Sequence, residues 1–190
     1  MIRSPMTQRF SIFALAEQLF CQVNADLASE GLSLPGETII DATLIAAPSS
    51  TKNRSGQRDE QMHQTKKGNQ WYFGTKRHIG VDDASGLVHH VHCTAANLAD
   101  VTQINRLLCG EEDSLCGDSD YPGTDKRKEM QQIKAVVLIA LRPSRVRAIK
   151  NSGERCVAAW RQIVIARLRA KVEHPFGLIK WQFGYSKVCY

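Results

Sequence analysis

The chain has 190 residues, enough for one domain with a full core and too few for two comfortable ones. Its composition of 43% apolar and 23% charged residues is that of an ordinary globular protein, and no apolar run approaches the length of a bilayer-spanning helix. The net charge of +6, with Lys and Arg gathered in 52–77 and 142–180, favours a polyanionic partner, nucleic acid above all, over an acidic one.

A basic balance alone fits a merely soluble basic protein equally well. The six cysteines, at 21, 93, 109, 116, 156 and 189, contain no C-x-x-C pair and no disulfide-scaffold spacing. No small-residue cleavage site cleanly follows SIFALA near the amino terminus. Free thiols in a reducing cytoplasm are the expectation.

In chain order, Phe13, Ala16, Phe20, Val23 and Leu27 recur at helical spacing and Gly31 is placed to stop a helix over about 8–30, one face of which should pack on something else. TIIDATLIAA then reads as a buried strand with Asp41 in its middle. Residues 48–70 are polar, basic and broken by Gly and Pro, so a long mobile loop is expected. Strands over 71–81 and 87–94, joined by a turn at 82–86, form a hairpin.

A helix over 99–109 follows, capped by Asn97 or Asp100, with Val101, Ile104, Leu107 and Leu108 inward. A short strand ends at Asp118, a polar helix covers 124–132, and AVVLIAL at 135–141 is a further strand. The last element is a long helix from about 154 with an apolar stripe of Trp160, Val164, Leu168, Val172, Phe176 and Ile179. Three antiparallel-capable strands followed by α/β alternation make a mixed sheet with helices on its faces.

Three carboxylates stand in distinctive settings: Asp41 within ETIIDATLIAAPSSTKN, Asp118 within LCGDSDYPG, and Glu173 within RLRAKVEHPFGLIKWQFGY. An acidic residue between Ile39, Ile40 and Leu44, Ile45 either points out of the sheet or is buried, and a buried charge needs a partner such as a metal. An edge aspartate facing water is the competing reading. On a regular helix Arg169, Glu173 and Lys180 fall within about 40° of one another, placing a carboxylate between cations able to grip phosphate. Pro175 makes that facing conditional, because it removes a backbone donor and kinks or restarts the helix. A helix with a plain solvated basic face is the alternative.

In TKKGNQWYFGTKRH, Lys66, Lys67, Lys76 and Arg77 are interleaved with Trp71, Tyr72 and Phe73, as suits phosphate contact with base stacking. Some of those aromatics are expected in the core while the basic residues face DNA. His89, His90, His92 and Cys93 raise the question of zinc, since His90 and His92 share a strand face. No second ligand pair has suitable spacing, so exposed strand histidines are the expectation. His174 either touches substrate phosphate or caps the kink.

These motifs, with MHQTKKGNQWYFGTKRHIGVD, SGLVHHVHCTAANLADV and LRPS, resemble a DDE insertion-sequence transposase of the IS-five group of the IS-four superfamily. The resemblance runs from about residue 10 to the end and is strongest at 37–123 and 169–188. It implies an α/β fold with an RNase H-like mixed sheet flanked by helices, behind a short helical lead. The implied division is a lead over 1–35, the remnant of an amino-terminal region, and a catalytic core over 36–190, truncated at its carboxyl end.

It also implies that Asp41, Asp118 and Glu173 are catalytic and hold two Mg²⁺ or Mn²⁺ ions for phosphodiester cleavage and strand transfer. Lys66, Lys67, Lys76, Arg77, Arg169 and Lys180 would bind DNA, both transposon ends and target. Homo-oligomeric assembly on DNA, no membrane association, and a bacterial cytoplasmic, nucleoid-associated location belong to the same expectation. The chain departs from the family pattern at Asp120, where glycine is expected, and at Ala166, where an aromatic is expected. The glycine would supply a positive-φ turn; the aspartate adds charge beside Asp118. Two alternatives therefore stand beside an active transposase: an inactive fragment that only binds DNA or partners, and a related metal-dependent DNA nuclease.

Overall fold

The computed structural model describes residues 5–32, 36–51, 56–131 and 133–188. Residues 52–55 of the expected loop, Cys189, and the side chain of Phe13 lie outside that description. The chain forms two compact units, Met1–Leu34 and Pro35–Tyr190.

In the first unit, α1 spans Pro5–Ser29. Gly31, at φ 70°, ends it: its N–H bonds to Ala28 O at 3.0 Å and that of Leu32 to Leu27 O at 3.0 Å. This pair satisfies carbonyls that the helix end would otherwise leave unbonded, and only glycine takes that backbone conformation at no steric cost. Phe20 and Leu27 of the expected stripe are half-buried.

The second unit is built on a six-stranded mixed sheet. Its strands are β1 (Glu37–Ala46), β2 (His63–Lys67), β3 (Gln70–Asp82), β4 (Val88–Ala95), β5 (Ser114–Gly117) and β6 (Val136–Ile139). Hydrogen-bonded neighbours run β3-β1-β5-β6, with β1 and β3 antiparallel and β1, β5 and β6 parallel. β2 pairs with the first part of β3 and β4 with the rest. Two helices follow, α2 (Pro143–Arg147) and α3 (Ser152–Gly177), and a π-helical turn, Leu178–Gln182, closes α3. This is the α/β architecture expected from the sequence, an RNase H-like mixed sheet flanked by helices.

Strand alternation explains the two cores. Ile39, Ile79, Val81 and Cys116 meet Ile165, Val172 and Phe176 of α3 on one face. Ile40 and Leu115 project to the other face, against Ile104, Leu107, Leu108, Tyr121 and Met130. Asp41 stands two residues after Ile39 and so shares the face that α3 covers. Asn151 caps α3, its side chain accepting from Gly153 N at 2.9 Å and Glu154 N at 3.2 Å. Arg161 donates to Val137 O at 3.1 Å and Lys171 to Asp83 O at 2.9 Å, which fixes α3 along the sheet.

Several expectations are corrected. The loop expected over 48–70 contains β2, which pairs with β3 through the two-residue turn Gly68–Asn69. The strand HQTKK carries no apolar alternation, so its pairing comes from an overlong β3 rather than from burial. The helix expected over 99–109 is only a 3-10 turn, Asp100–Arg106. Asp100, one of the two expected caps, instead receives Lys76 Nζ at 2.9 Å, and no side chain caps the turn. The polar helix expected over 124–132 is a pair of 3-10 turns, Thr124–Lys126 and Lys128–Met130.

The inward stripe of α3 is Ile165, Leu168, Val172 and Phe176, while Trp160 is 66% exposed. Pro175 neither breaks nor restarts α3, which runs through it. The irregularity falls immediately after, where Phe183 N–H reaches Leu178 O at 3.0 Å in the wider π pattern. The tail then returns to β1, Val188 N–H donating to Ala46 O at 2.7 Å.

Candidate active site

Pairing between β1 and β5 ends at Ile39 opposite Cys116, because β5 is only four residues long. β1 continues for seven residues beyond Ile39, and among the described residues this edge has no strand beside it until the tail meets Ala46. The gap opens at the carboxyl end of the parallel strands, where open α/β sheets offer their crevice. It is a cleft of about 380 Å³. Its walls include Asp41, Asp100, Asp118, Asp120, Tyr121, Glu173 and five basic residues: Lys66, Lys67, Lys76, Arg169 and Lys180.

Three elements thus bring the three sequence-predicted carboxylates to one place. Asp41 comes from the middle of β1, Asp118 from the residue after β5, and Glu173 from α3. Arg169 lies one turn before Glu173, and its Nη2 is 3.0 Å from Asp118 Oδ2 and 3.8 Å from Asp41 Oδ2. A single cationic nitrogen is therefore shared by carboxylates from two strands. Arg169 Nε is buried without a hydrogen-bond partner, so the guanidinium is held by its charges more than by a full set of bonds.

Burial pushes the Asp41 carboxyl up from its ordinary 3.8 to about 6. The Ala42 N–H, donating to Asp41 Oδ1 at 2.7 Å, and Arg169 oppose that rise, while Asp118 and Glu173 add to it. Burial and then the neighbouring Lys67 ammonium hold Lys180 below the ordinary lysine range, against the pull of Glu173. Tyr121 is fully buried in the wall, its hydroxyl has no hydrogen-bond partner, and burial followed by Asp41 raises its pKa well above the ordinary phenol value.

The residue set fits divalent ions. Carboxylate oxygens are the hard donors that Mg²⁺ and Mn²⁺ take. Two of them already converge on a cation, and Arg169 with the Ala42 N–H offsets the burial of Asp41 only in part.

Five of the six basic residues singled out in the sequence line the cleft. Arg77 does not; its Nη1 donates to Thr75 Oγ1 at 2.9 Å. Lys76 is engaged by Asp100, and Arg169 by the carboxylates. The aromatics divide as expected, Phe73 being buried and Trp71 67% exposed. Trp181 and Phe183, on either side of Gln182 next to Lys180, are 85% and 80% exposed.

Asp120 does not adopt a positive φ; the left-handed residue of this loop is Gly123, at 71°. Asp120 N–H donates to Asp118 Oδ1, and its own carboxylate lies 3.8 Å from Arg142 Nη2. The aspartate thus enters the loop without left-handed backbone, and its backbone helps to orient Asp118. Sequence reasoning missed Asp100 as a wall residue because its position before an apolar run looks like a helix cap; Lys76 on β3 was the available signal.

Among the described residues no helix is long and apolar enough to cross a membrane. No solved structure matches the chain. A family model described as the transposase DDE domain matches residues 33–190.

Proposed function

The chain belongs to the transposase DDE-domain family, a family that uses divalent metal ions on DNA, and from that premise we propose that it cuts and joins DNA at insertion-sequence ends. Within the family we place it in the IS-five group, on the motifs around Asp41, Asp118 and Glu173. The observation that carries the proposal is the convergence of Asp41 and Asp118 on one cation in a cleft that Glu173 also lines.

Asp41, Asp118 and Glu173 would hold two Mg²⁺ or Mn²⁺ ions, which when bound polarise the scissile phosphate and lower the pKa of a nucleophilic water or 3′-hydroxyl. Arg169 keeps the two strand carboxylates together before ions arrive, and limits their mutual repulsion. Lys66 and Lys67 on the β2 hairpin and Lys180 on the π turn flank the cleft and would take backbone phosphates, which position DNA without reading bases. The exposed Trp71, Trp181 and Phe183 offer stacking faces for bases unpaired at the cut. Arg77 would contact DNA outside the cleft. Assembly as a homo-oligomer on DNA, in the cytoplasm at the nucleoid, completes the proposal.

The test is a nicking and strand-transfer assay on DNA carrying the element's ends, with and without Mg²⁺. Metal-dependent nicking and joining are expected, and Asp41→Ala should lower both by on the order of a hundredfold or more, since bound ions supply several kcal/mol at the transition state. Nicking without joining would instead indicate a nuclease. DNA binding with neither activity would indicate a remnant that binds only.

A further inference from the structure

Away from the cleft, His89 Nδ1, His90 Nδ1 and Cys109 Sγ all lie within 4.8 Å of one another. The two imidazole nitrogens are 2.7 Å apart, and the sulfur is 4.0 Å from the first and 3.9 Å from the second. We infer that these three side chains form a binding site for a borderline-soft divalent cation, Zn²⁺ foremost, that pins β4 to the segment following the 3-10 turn.

Consecutive strand residues normally project to opposite faces, which would keep His89 and His90 apart. A bulge removes that obstacle. Gly80 pairs with His90 and Val81 with Val88, so His89 is the extra residue of the bulge and the strand is re-aimed there. Room for the imidazole is made by Gly80: a Cβ at that position would sit 2.9 Å from His89 Cε1 and 2.5 Å from Leu107 O.

The ligands also have orienting partners. His89 Nε2 lies 3.2 Å from Thr38 Oγ1, which turns Nδ1 toward the cluster. Glu112, only 3% exposed, accepts from Cys109 N–H and from Gly110 N–H, the latter at 2.8 Å. That carboxylate fixes the backbone carrying the thiol. A tetrahedral Zn²⁺ separates two imidazole nitrogens by roughly 3.4 Å and nitrogen from sulfur by roughly 3.6 Å, so each observed spacing needs a shift of under about 1 Å. On binding, the Cys109 thiol gives its proton to solvent as the metal–sulfur bond forms. Cys109 is exposed, which leaves a fourth position for water.

The sequence pattern pointed to other ligands. His92 stacks with His78, ring centroids 6.4 Å apart, and neither His92 nor Cys93 joins the cluster. Cys109, far along the chain, takes their place.

None of the three ligands lines the carboxylate cleft, so the experiment is independent of DNA chemistry. The full chain is stripped with chelator and titrated with Zn²⁺ against a chromophoric competitor, then separately loaded with Co²⁺ for its absorption spectrum. One tight Zn²⁺ equivalent and a thiolate-to-Co²⁺ charge-transfer band are expected. Cys109→Ser should abolish the band and His90→Gln should weaken Zn²⁺, each by at least the roughly 10–100-fold that removal of an orienting partner costs. Asp41→Asn should leave both signals unchanged. A band that survives Cys109→Ser, or Zn²⁺ binding that disappears with Asp41→Asn, would overturn the assignment. Cys109 is exposed, so its serine variant tests ligation with the packing intact.

Discussion

Between pH 3.8 and about 6 the folded chain holds a proton on Asp41 that the unfolded chain has already released. A folded state that binds more protons loses stability as pH rises, so this contribution is complete below 3.8 and gone above about 6. The interval corresponds to about 3 kcal/mol. His78 acts in the opposite direction: burial, then Lys76, pushes it down from 6.5 to about 4, so its contribution is lost as pH falls through that window. The two windows overlap, and the wild-type curve mixes them. The difference between Asp41→Asn and wild type separates them. In chelator, urea melts should find Asp41→Asn more stable by up to about 3 kcal/mol at pH 7.5 and little different at pH 4. Addition of Mg²⁺ should then stabilise wild type and not the variant, because a bound ion offsets the charge that burial left exposed to low dielectric. An equal difference at both pH values would refute the reading of Asp41 as a desolvated, ion-seeking carboxylate.

Glycine 74 decides whether the β2 hairpin stays on the sheet. It pairs with Ala46 on β1 and with His63 at the start of β2, and a Cβ there would collide with Ile45 O. Backbone cannot yield as a side-chain tip can, so Gly74→Ala should cost roughly 2–4 kcal/mol in denaturant melts. Hydrogen exchange should be fastest in His63–Lys67, which is held by β3 alone and, unlike β4, buries no residue; uniform loss of protection would refute that. β2 is also the element least legible in the sequence, since HQTKK has no face to bury and only Gly68–Asn69 hinted at a hairpin. β1, β3, β4 and β6 were legible because burial imprints alternation or apolar runs on them. The 3-10 turn at Asp100–Arg106 was not, because the cap that a helix needs is engaged across the fold by Lys76. The stripe of α3 was legible from Leu168 onward and misread before it, where Trp160 continues the spacing yet is 66% exposed and Ile165 is the buried residue.

At the scale of the whole molecule, the three carboxylates could be chosen from sequence because each stands in a pattern that burial alone does not explain, but their meeting point could not. It depends on β5 being shorter than β1, a length difference that leaves the gap. The same geometry sorts the basic residues. Lys66, Lys67 and Lys180 line the cleft without an ion-pair partner among the salt bridges of the described residues, whereas Lys76 and Arg169 are engaged by carboxylates. Removing one phosphate-binding cation should flatten the dependence of log K on log salt by about 0.9 for duplex DNA. Replacing Lys66, Lys67 and Lys180 together by alanine should therefore reduce the slope by about 2–3, read by fluorescence anisotropy in Ca²⁺ to prevent cleavage. Lys76→Ala should change it by well under the about 0.9 of a phosphate-bound cation, because that ammonium is already neutralised by Asp100 at 2.9 Å. Equal changes per charge removed in the two variants would mean that DNA does not follow the cleft and that the basic surface acts only as a diffuse field.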